Sequence, residues 1–223
     1  EYLVASEGHI VARDVVAELF WGNLRPKSAN LSLRQALHLA RRTLEPDLVG
    51  SSSSYIVSKH NSLVLVRELI EMIDIDEFVG HIASAERAER LGHFERAEQE
   101  YWAAQELYTG DFLADEPYED WARAKRERFR NLTLSALYRL AKWRIEADDY
   151  ETAISYLRKM LDLDCAREDV HVLLMRCLAW AGRQHEVRGQ YLSCIRALRQ
   201  ELDLDPAPET RKLYAELVAG GTA

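Results

Sequence analysis

The sequence has few cysteines, no long apolar run and no targeting segment. Its 223 residues include three cysteines, Cys165, Cys177 and Cys194, and none stands at the Cys-x-x-Cys spacing of a zinc or redox site. No stretch approaches the roughly 20 consecutive apolar residues of a membrane-spanning helix, and the first residues lack the basic and apolar regions of a signal peptide. These absences predict a reduced, cytoplasmic protein without membrane contact.

Motifs of catalysis and cofactor binding are also absent. No Gly-rich phosphate loop, nucleophile elbow or HExxH zinc motif occurs. Glu168 and His171 form one ExxH pair, whereas a di-iron bundle needs two such pairs and further carboxylates. A position on a helix surface is the preferred interpretation of this pair. We therefore expect a protein that is not an enzyme and that holds no cofactor or metal.

Acidic residues outnumber basic ones, 37 to 29, and the charge is unevenly placed. The formal net charge is −8, which argues against a protein coated in nucleic acid. Residues 1–67 nevertheless hold 8 Lys and Arg against 6 Asp and Glu, whereas residues 68–223 hold 21 against 31. The sequence thus predicts a slightly basic module joined to an acidic one. Because the chain begins at Glu1 without a Met, we also expect it to be a piece of a longer protein.

Residues 30–45, NLSLRQALHLARRTLE, have the pattern of a helix with one apolar and one cationic face. Asn30 stands at the predicted N-cap, and Pro46 follows the last turn. No acid occurs between residues 30 and 44, so this face lacks the mixed charges that give i,i+4 ion pairs and instead suits a polyanion. A solvated basic face is the alternative. The predicted apolar face is Leu33, Ala36, Leu37, Ala40 and Leu44, and the polar face is Arg34, Gln35, His38, Arg41 and Arg42.

The sequence pattern of residues 1–66 predicts the element order of a winged helix-turn-helix. In this fold the third helix lies in the major groove of DNA, and the hairpin tip reaches a neighbouring groove or phosphates. The side of the second helix predicted to face the core consists of Val15, Val16, Leu19 and Phe20. The predicted helical part has a helix end closed by Gly8 in residues 1–8, a helix at 11–21, a loop at 22–29 and the helix at 30–45. A connecting loop around Ser51–Ser54 follows. The hairpin consists of strands at 55–58 and 63–66, joined by the turn Lys59, His60, Asn61 and Ser62.

The rest of the chain is predicted to be helical and repetitive. Residues 67–75 are a connection, and residues 76–218 have a helical pattern. Three segments contain a small or β-branched residue, Ala97, Ala153 or Val187, which is followed by a larger residue at +4 and a further apolar residue at +7. The last two segments are 34 residues apart, which is the tetratricopeptide period, and small residues let paired helices approach closely.

An insertion at residues 108–129 separates the first two segments. Pro117 is predicted to lie in the first turn of the helix that follows. The basic run in this region is predicted to be a solvated face with local ion pairs rather than a second phosphate-binding patch, since acids are interspersed. It comprises Arg123, Lys125, Arg126, Arg128 and Arg130.

At this point the residues resemble a known family. The helix at 30–45, the segment YTGDFLADEPYEDW at 108–121 with its Gly110-Asp111-Phe112, and the tail ELDLDPAPETRKLY at 201–214 are similar to SARP-type transcriptional regulators. Such proteins carry an OmpR-like winged helix followed by a tetratricopeptide-like bacterial transcriptional activator domain. The resemblance implies a mainly α fold in which residues 1–66 are an N-terminally truncated winged helix with a β-hairpin wing, 67–75 a linker and 76–218 the activator domain. The family's usual sheet before the first helix is not in this sequence.

The resemblance also implies which residues contact partners. The loop at 22–29 stands where OmpR-like modules often meet RNA polymerase, so its contacts would be Asn23, Arg25 and Lys27. The expected partners are double-stranded DNA, RNA polymerase, and a second copy of the chain or other domains of a longer protein. The candidate DNA contacts are Asn30, Arg34, Gln35, His38, Arg41, Arg42, Lys59 and His60, with Arg34, Gln35 and His38 nearest the base edges and Arg41 and Arg42 on phosphates.

A second function remains open at this stage. The chain could be a protein-interaction scaffold whose winged helix is a structural platform that does not bind DNA. The net charge of −8 fits this alternative better. It predicts that the chain shows no salt-dependent DNA binding, whereas the regulator predicts a steep salt dependence.

Overall fold

The computed structural model describes residues 1–46 and 53–220. The chain divides into two compact units, Glu1–Glu77 and Phe78–Ala223. The predicted loop at Ser51–Ser54 falls partly in residues 47–52, which lie outside the described residues. The elements of the first unit are α1 (Tyr2–Ala5), a 3₁₀ turn (Glu7–His9), β1 (Ile10–Ala12), α2 (Arg13–Trp21), α3 (Pro26–Leu44), β2 (Ile56–Lys59), β3 (Ser62–Leu65) and a second 3₁₀ turn (Arg67–Leu69).

A three-stranded antiparallel sheet, ordered β1-β3-β2, lies in the first unit. The predicted hairpin is confirmed, with Lys59 paired to Ser62 across a turn of two residues rather than four. Strand β1 was not predicted. Its central Val11 pairs with Leu63 and is buried, so assigning residues 11 and 12 to the second helix was wrong. Three residues are too few for an alternating pattern to be recognised in a sequence.

Helix α2 turns a different side inward from the one predicted. Its buried residue is Ala17, and the half-buried Val16 packs with it against Leu33. The prediction was wrong for Val15, Leu19 and Phe20, which are 49%, 42% and 40% exposed. Small Ala17 lets α2 approach α3 closely, and a search for large apolar residues misses this kind of contact.

Helix α3 begins one turn earlier than predicted. Pro26 occupies its first turn and Arg25 is the N-cap residue, since the fixed φ of proline suits that position. Asn30 is therefore not an N-cap: its side-chain nitrogen donates to the Pro26 carbonyl at 2.9 Å. Of the predicted apolar face, Leu33 is 2% exposed, but Leu44 in the last turn is 50% exposed, which contradicts that part of the prediction.

The second unit is a stack of paired helices. Helix α4 (Asp74–Arg90) begins at the end of the first unit and continues into the second, which adds α5 (Phe94–Leu107), α6 (Asp120–Glu146), α7 (Tyr150–Leu163), α8 (Glu168–Trp180), α9 (Gln184–Leu202) and α10 (Pro208–Gly220). The three repeat positions, Ala97, Ala153 and Val187, are all fully buried. The predicted tetratricopeptide-like packing is confirmed, with Leu157 and Leu174 in the same core cluster.

The insertion is held against α6 by two arginines. The Arg126 guanidinium donates to the main-chain oxygens of Phe112 at 2.8 Å and Glu116 at 2.6 Å, and Arg130 forms an ion pair with Asp111. The prediction of a solvated face was therefore wrong for Arg126. It holds for Arg123, which pairs with Glu127 at 3.2 Å in a highly exposed position. Helix α6 begins at Asp120, so Pro117 precedes it and does not lie in its first turn.

His171 is not on a helix surface, as had been predicted, but 3% exposed. Its Nε2–H donates to the Cys165 carbonyl at 2.9 Å, and its Nδ1 accepts from the Gln190 side chain at 2.5 Å. Burial is the main reason that the pKa of His171 lies below its ordinary value of 6.5. Within residues 1–46 and 53–220, no group of three or more His, Cys, Asp or Glu side chains is arranged to hold a metal ion. None of the helices in the same residues has the length and apolarity to cross a membrane.

Candidate nucleic-acid interface

The exposed side of α3 carries two parallel rows of side chains. One row is cationic and consists of Arg34, His38 and Arg42, which are four residues apart and all exposed. Residues at i and i+4 lie one above the other on a helix, so these three form a strip along the axis. Arg34 and Arg42 make no hydrogen bond or ion pair in the described part of the chain, and their guanidinium groups are open to an anion.

The second row runs beside the first and is nearly neutral. It consists of Leu31, Gln35 and Leu39, again at four-residue steps and all exposed. Gln35 offers both a donor and an acceptor, which is the combination that a base edge in the major groove can match. The cationic row and Gln35 together provide both kinds of contact that DNA recognition needs.

Arg41 points to the wing rather than into either row. Its Nε–H donates to the main-chain oxygen of Ile56 at 3.0 Å, and its Nη2 to Ser58 Oγ at 3.3 Å. Both acceptors lie on β2, so Arg41 fixes the first wing strand against α3. The sequence had placed Arg41 beside Arg42 as an equivalent phosphate contact, and the structure separates the two.

Arg13 is a candidate contact that the sequence analysis missed. Its Nη1 donates to Ser58 Oγ at 3.4 Å, next to Arg41, and its main-chain N–H donates to the Asn61 carbonyl at 2.8 Å. The start of α2 therefore lies beside the wing, a position that only the pairing of β1 with β3 establishes. Since β1 was not predicted, no sequence signal pointed to Arg13.

The wing tip presents further positive charge. Lys59 and His60 are exposed, and His60 has φ +53°. This left-handed conformation lets the two-residue turn close. The tip and the adjoining Ser58 thus bring Lys59 and His60 close to Arg13 and Arg41, so that one end of the unit carries cations from α2, α3 and the hairpin.

The predicted polymerase-contact residues lie at the other end of α3. Asn23 and Arg25 are in the short connection that precedes the helix, and Lys27 is in the helix itself, because α3 begins at Pro26. All three are exposed. The predicted loop at 22–29 is thus reduced to residues 22–25, with Arg25 at the N-cap and Lys27 in the first turn of α3.

Comparison with known proteins identifies the family. Residues 73–218 match the bacterial transcriptional activator domain, and the chain belongs to this family. It is 26% identical to the regulatory protein AfsR of Streptomyces coelicolor over 99% of this chain and 22% of that protein. It is 24% identical to the transcriptional regulatory protein MoaR1 of Mycobacterium tuberculosis over 97% of this chain and 69% of that protein. The chain thus spans about a fifth of the length of the AfsR protein it matches.

A solved structure shares the fold. Mycobacterium tuberculosis EmbR, in complex with a low-affinity phosphopeptide, superposes with a TM-score of 0.70 and 19% sequence identity over 99% of this chain and 58% of that one. The family match and these relatives confirm the resemblance to SARP-type transcriptional regulators, with a small sheet-containing unit followed by a helical domain.

Proposed function

We propose that this chain is a DNA-binding transcriptional regulator, in which residues 1–66 bind double-stranded DNA and residues 76–218 form a helical domain for signal input or pairing. The observation that carries the proposal is the exposed strip Arg34, His38 and Arg42 on α3, flanked by a wing whose tip carries Lys59 and His60. Activation is the sense of regulation that the description of the matched family favours.

The contacts divide by their geometry. Arg34, His38 and Arg42 lie along the exposed strip, where they reach phosphates or guanine edges, and Gln35 faces bases. Arg13 and Lys59 reach phosphates beside the wing. Arg41 positions β2, and we assign it a supporting role. Asn30, whose side chain is bonded to the Pro26 carbonyl, keeps its acceptor oxygen for a phosphate-bound water or a base.

The test is fluorescence-anisotropy titration of a random-sequence duplex pool with the 223-residue chain at 50 and 200 mM salt. A protein with six or more phosphate contacts loses roughly a thousandfold in affinity over this range. We expect that steep dependence in the parent chain. In Arg34→Ala/Arg42→Ala, loss of two phosphate contacts would lower the salt slope by roughly 2.

The matched control is Lys142→Ala/Lys159→Ala. These lysines are exposed on α6 and α7 and form no ion pair in the described residues, so the variant removes the same charge from the helical unit. We expect its salt slope to equal that of the parent chain. If both double variants bind alike, or the parent chain fails to bind at 50 mM salt, the DNA-binding proposal is wrong and the scaffold alternative is favoured.

We also propose that Asn23, Arg25 and Lys27 contact RNA polymerase. This proposal is supported by the exposure of all three side chains at the start of α3, at the opposite end of this helix from Arg41 and Arg42. In transcription assays with purified polymerase, Arg25→Ala/Lys27→Ala should lower promoter output while DNA affinity at 200 mM salt stays within about twofold. A parallel loss of DNA affinity would instead assign these residues to DNA.

Protein contacts of the helical domain are a second part of the proposal. Trp102 and Trp180 are 54% and 49% exposed, and large exposed aromatic side chains are typical of interface anchors. A second copy of the chain or another domain of a longer protein would cover them. Light scattering over a range of chain concentrations tests self-association, and Trp180→Ser should shift any dimer towards monomer.

A further inference from the structure

The neutral row on α3 has two exposed leucines that the fold does not use. Leu31 and Leu39 are 57% and 66% exposed, whereas Leu33 on the opposite side of the same helix is 2% exposed and packs against Ala17. An isolated exposed leucine is ordinary. Two leucines in register on either side of Gln35, within a cationic face, form a defined apolar–polar–apolar pattern.

We propose that Leu31 and Leu39 contact the C5-methyl groups of two thymines, with Gln35 hydrogen-bonded to a base between them; this inference rests on the proposed DNA-binding function. The thymine methyl is the apolar group that the major-groove edge of DNA presents. The adjoining Arg34, His38 and Arg42 supply the charge complementarity that brings this face to a polyanion. The leucines are therefore specificity-determining residues.

The spacing of the row sets the spacing of the bases. An α-helix rises 1.5 Å per residue, so the eight residues from Leu31 to Leu39 span about 12 Å. With a base-pair rise of about 3.4 Å, the two thymines lie three to four base pairs apart when the helix follows the groove. Gln35 is midway, and its amide matches adenine N6 and N7 in a bidentate pair. The bases recognised by this row are then a thymine, an adenine and a thymine in that order, separated by about one base each.

Leu44 provides a matched control within the same helix. It is 50% exposed, close to the exposure of Leu31. At 100° per residue, however, Leu44 lies on the opposite side of α3 from the Leu31–Gln35–Leu39 row. Leu44→Ala therefore removes equally exposed apolar surface without touching the proposed contact.

The experiment replaces thymine by deoxyuridine, which lacks only the methyl group. A duplex is selected from a random pool with the 223-residue chain, and each thymine is then exchanged in turn while the dissociation constant is measured by anisotropy. We expect two positions three to four base pairs apart at which the exchange weakens binding by about 3- to 5-fold, the effect of one buried methyl group. In Leu39→Ala one of these positions should become insensitive to the exchange, and in Leu31→Ala the other, while Leu44→Ala should behave as the parent chain.

The outcomes separate this inference from the function on which it rests. If the chain binds with a steep salt dependence but no thymine position responds to deoxyuridine, the leucines do not read methyl groups and the proposal is overturned. The same holds if responsive positions stay responsive in both leucine variants. If the chain binds no duplex at 50 mM salt, the proposed DNA-binding function fails first.

Discussion

The Arg41 guanidinium donates to the Ile56 carbonyl at 3.0 Å and thereby ties the last turns of α3 to the first strand of the wing. Its neighbour Arg42 makes no hydrogen bond within the described residues. The two adjacent arginines therefore have different structural roles. Arg41 holds the candidate DNA-binding surface together, and Arg42 belongs to that surface.

Arg41→Ala is expected to loosen the wing, and Arg42→Ala is not. Loss of the bonds to Ile56 and Ser58 should destabilise β2 and β3 by about 1–2 kcal/mol, whereas removal of the exposed Arg42 should change stability by less than about 0.5 kcal/mol. Hydrogen exchange followed by mass spectrometry reads the wing peptides separately from the helical unit. Equal exchange rates of the wing in both variants would contradict the positioning role of Arg41.

Asp111→Asn is expected to destabilise the segment between α5 and α6 in a pH-dependent way. Burial opposes ionisation of Asp111, but hydrogen bonds from Arg130 and Tyr108 outweigh it and hold its pKa below the ordinary 3.8. A lowered carboxyl pKa contributes stability that is present above about pH 3.8 and is lost as the pH falls through the folded value.

The variant should therefore be less stable by about 1–2 kcal/mol at pH 7, allowing for partial solvent screening. The difference in stability between parent and variant should narrow as the pH falls below about 3.8. Urea unfolding at pH 7, 5 and 3 measures the difference in unfolding free energy between the parent chain and the variant. The control is Arg123→Met, which breaks only an exposed pair with Glu127. A gap that is independent of pH would show that the ion pair with Arg130 is not its source.

His171 is expected to make the helical unit lose stability in mild acid. Because burial lowers its pKa in the folded chain, its contribution is fully present above pH 6.5 and is lost as the pH falls below that value, by up to about 1.4 kcal/mol per pH unit. His171→Gln cannot take up this proton. The stability difference between parent and variant should shrink between pH 7.5 and 5.5, and a constant difference would contradict the assignment.

Ala153→Leu is expected to disrupt the packing of α7. Ala153 is fully buried in the core cluster with Leu157 and Leu174, so three further carbon atoms should cost about 1–3 kcal/mol through overpacking. Lys159→Leu, at an exposed position on the same helix, should change stability by less than about 0.5 kcal/mol. Thermal unfolding followed by circular dichroism compares the two. Equal midpoints would mean that Ala153 is not a close-contact position.

Long, regular patterns could be predicted from the sequence. The repeat positions Ala97, Ala153 and Val187 are all buried, as the recurring small or β-branched residue at the approach of two helices predicted. The hairpin was also predicted, because two β-rich runs flank a polar turn. Both cases rest on many residues that agree with one another.

The features that could not be predicted from the sequence depend on single tertiary contacts. Strand β1 has three residues, and its pairing with β3 is what brings Arg13 to the wing. The separate roles of Arg41 and Arg42 follow from where β2 lies. His171 is recognised as buried only when Gln190, 19 residues away, is seen to bond to it. Local periodicity carries no information about such long-range neighbours.

The continuity of α6 has a mechanical consequence. This helix of 27 residues has no break: its first turns are bonded through Arg126 and Arg130 to the segment between α5 and α6, while its later turns, with Leu140 and Ala141, lie in the buried core. Arg126 and Leu140 are 14 residues apart, or about 21 Å along the axis. Because α6 has no break, a displacement of the segment at one end would be transmitted along the helix to the repeat packing at the other.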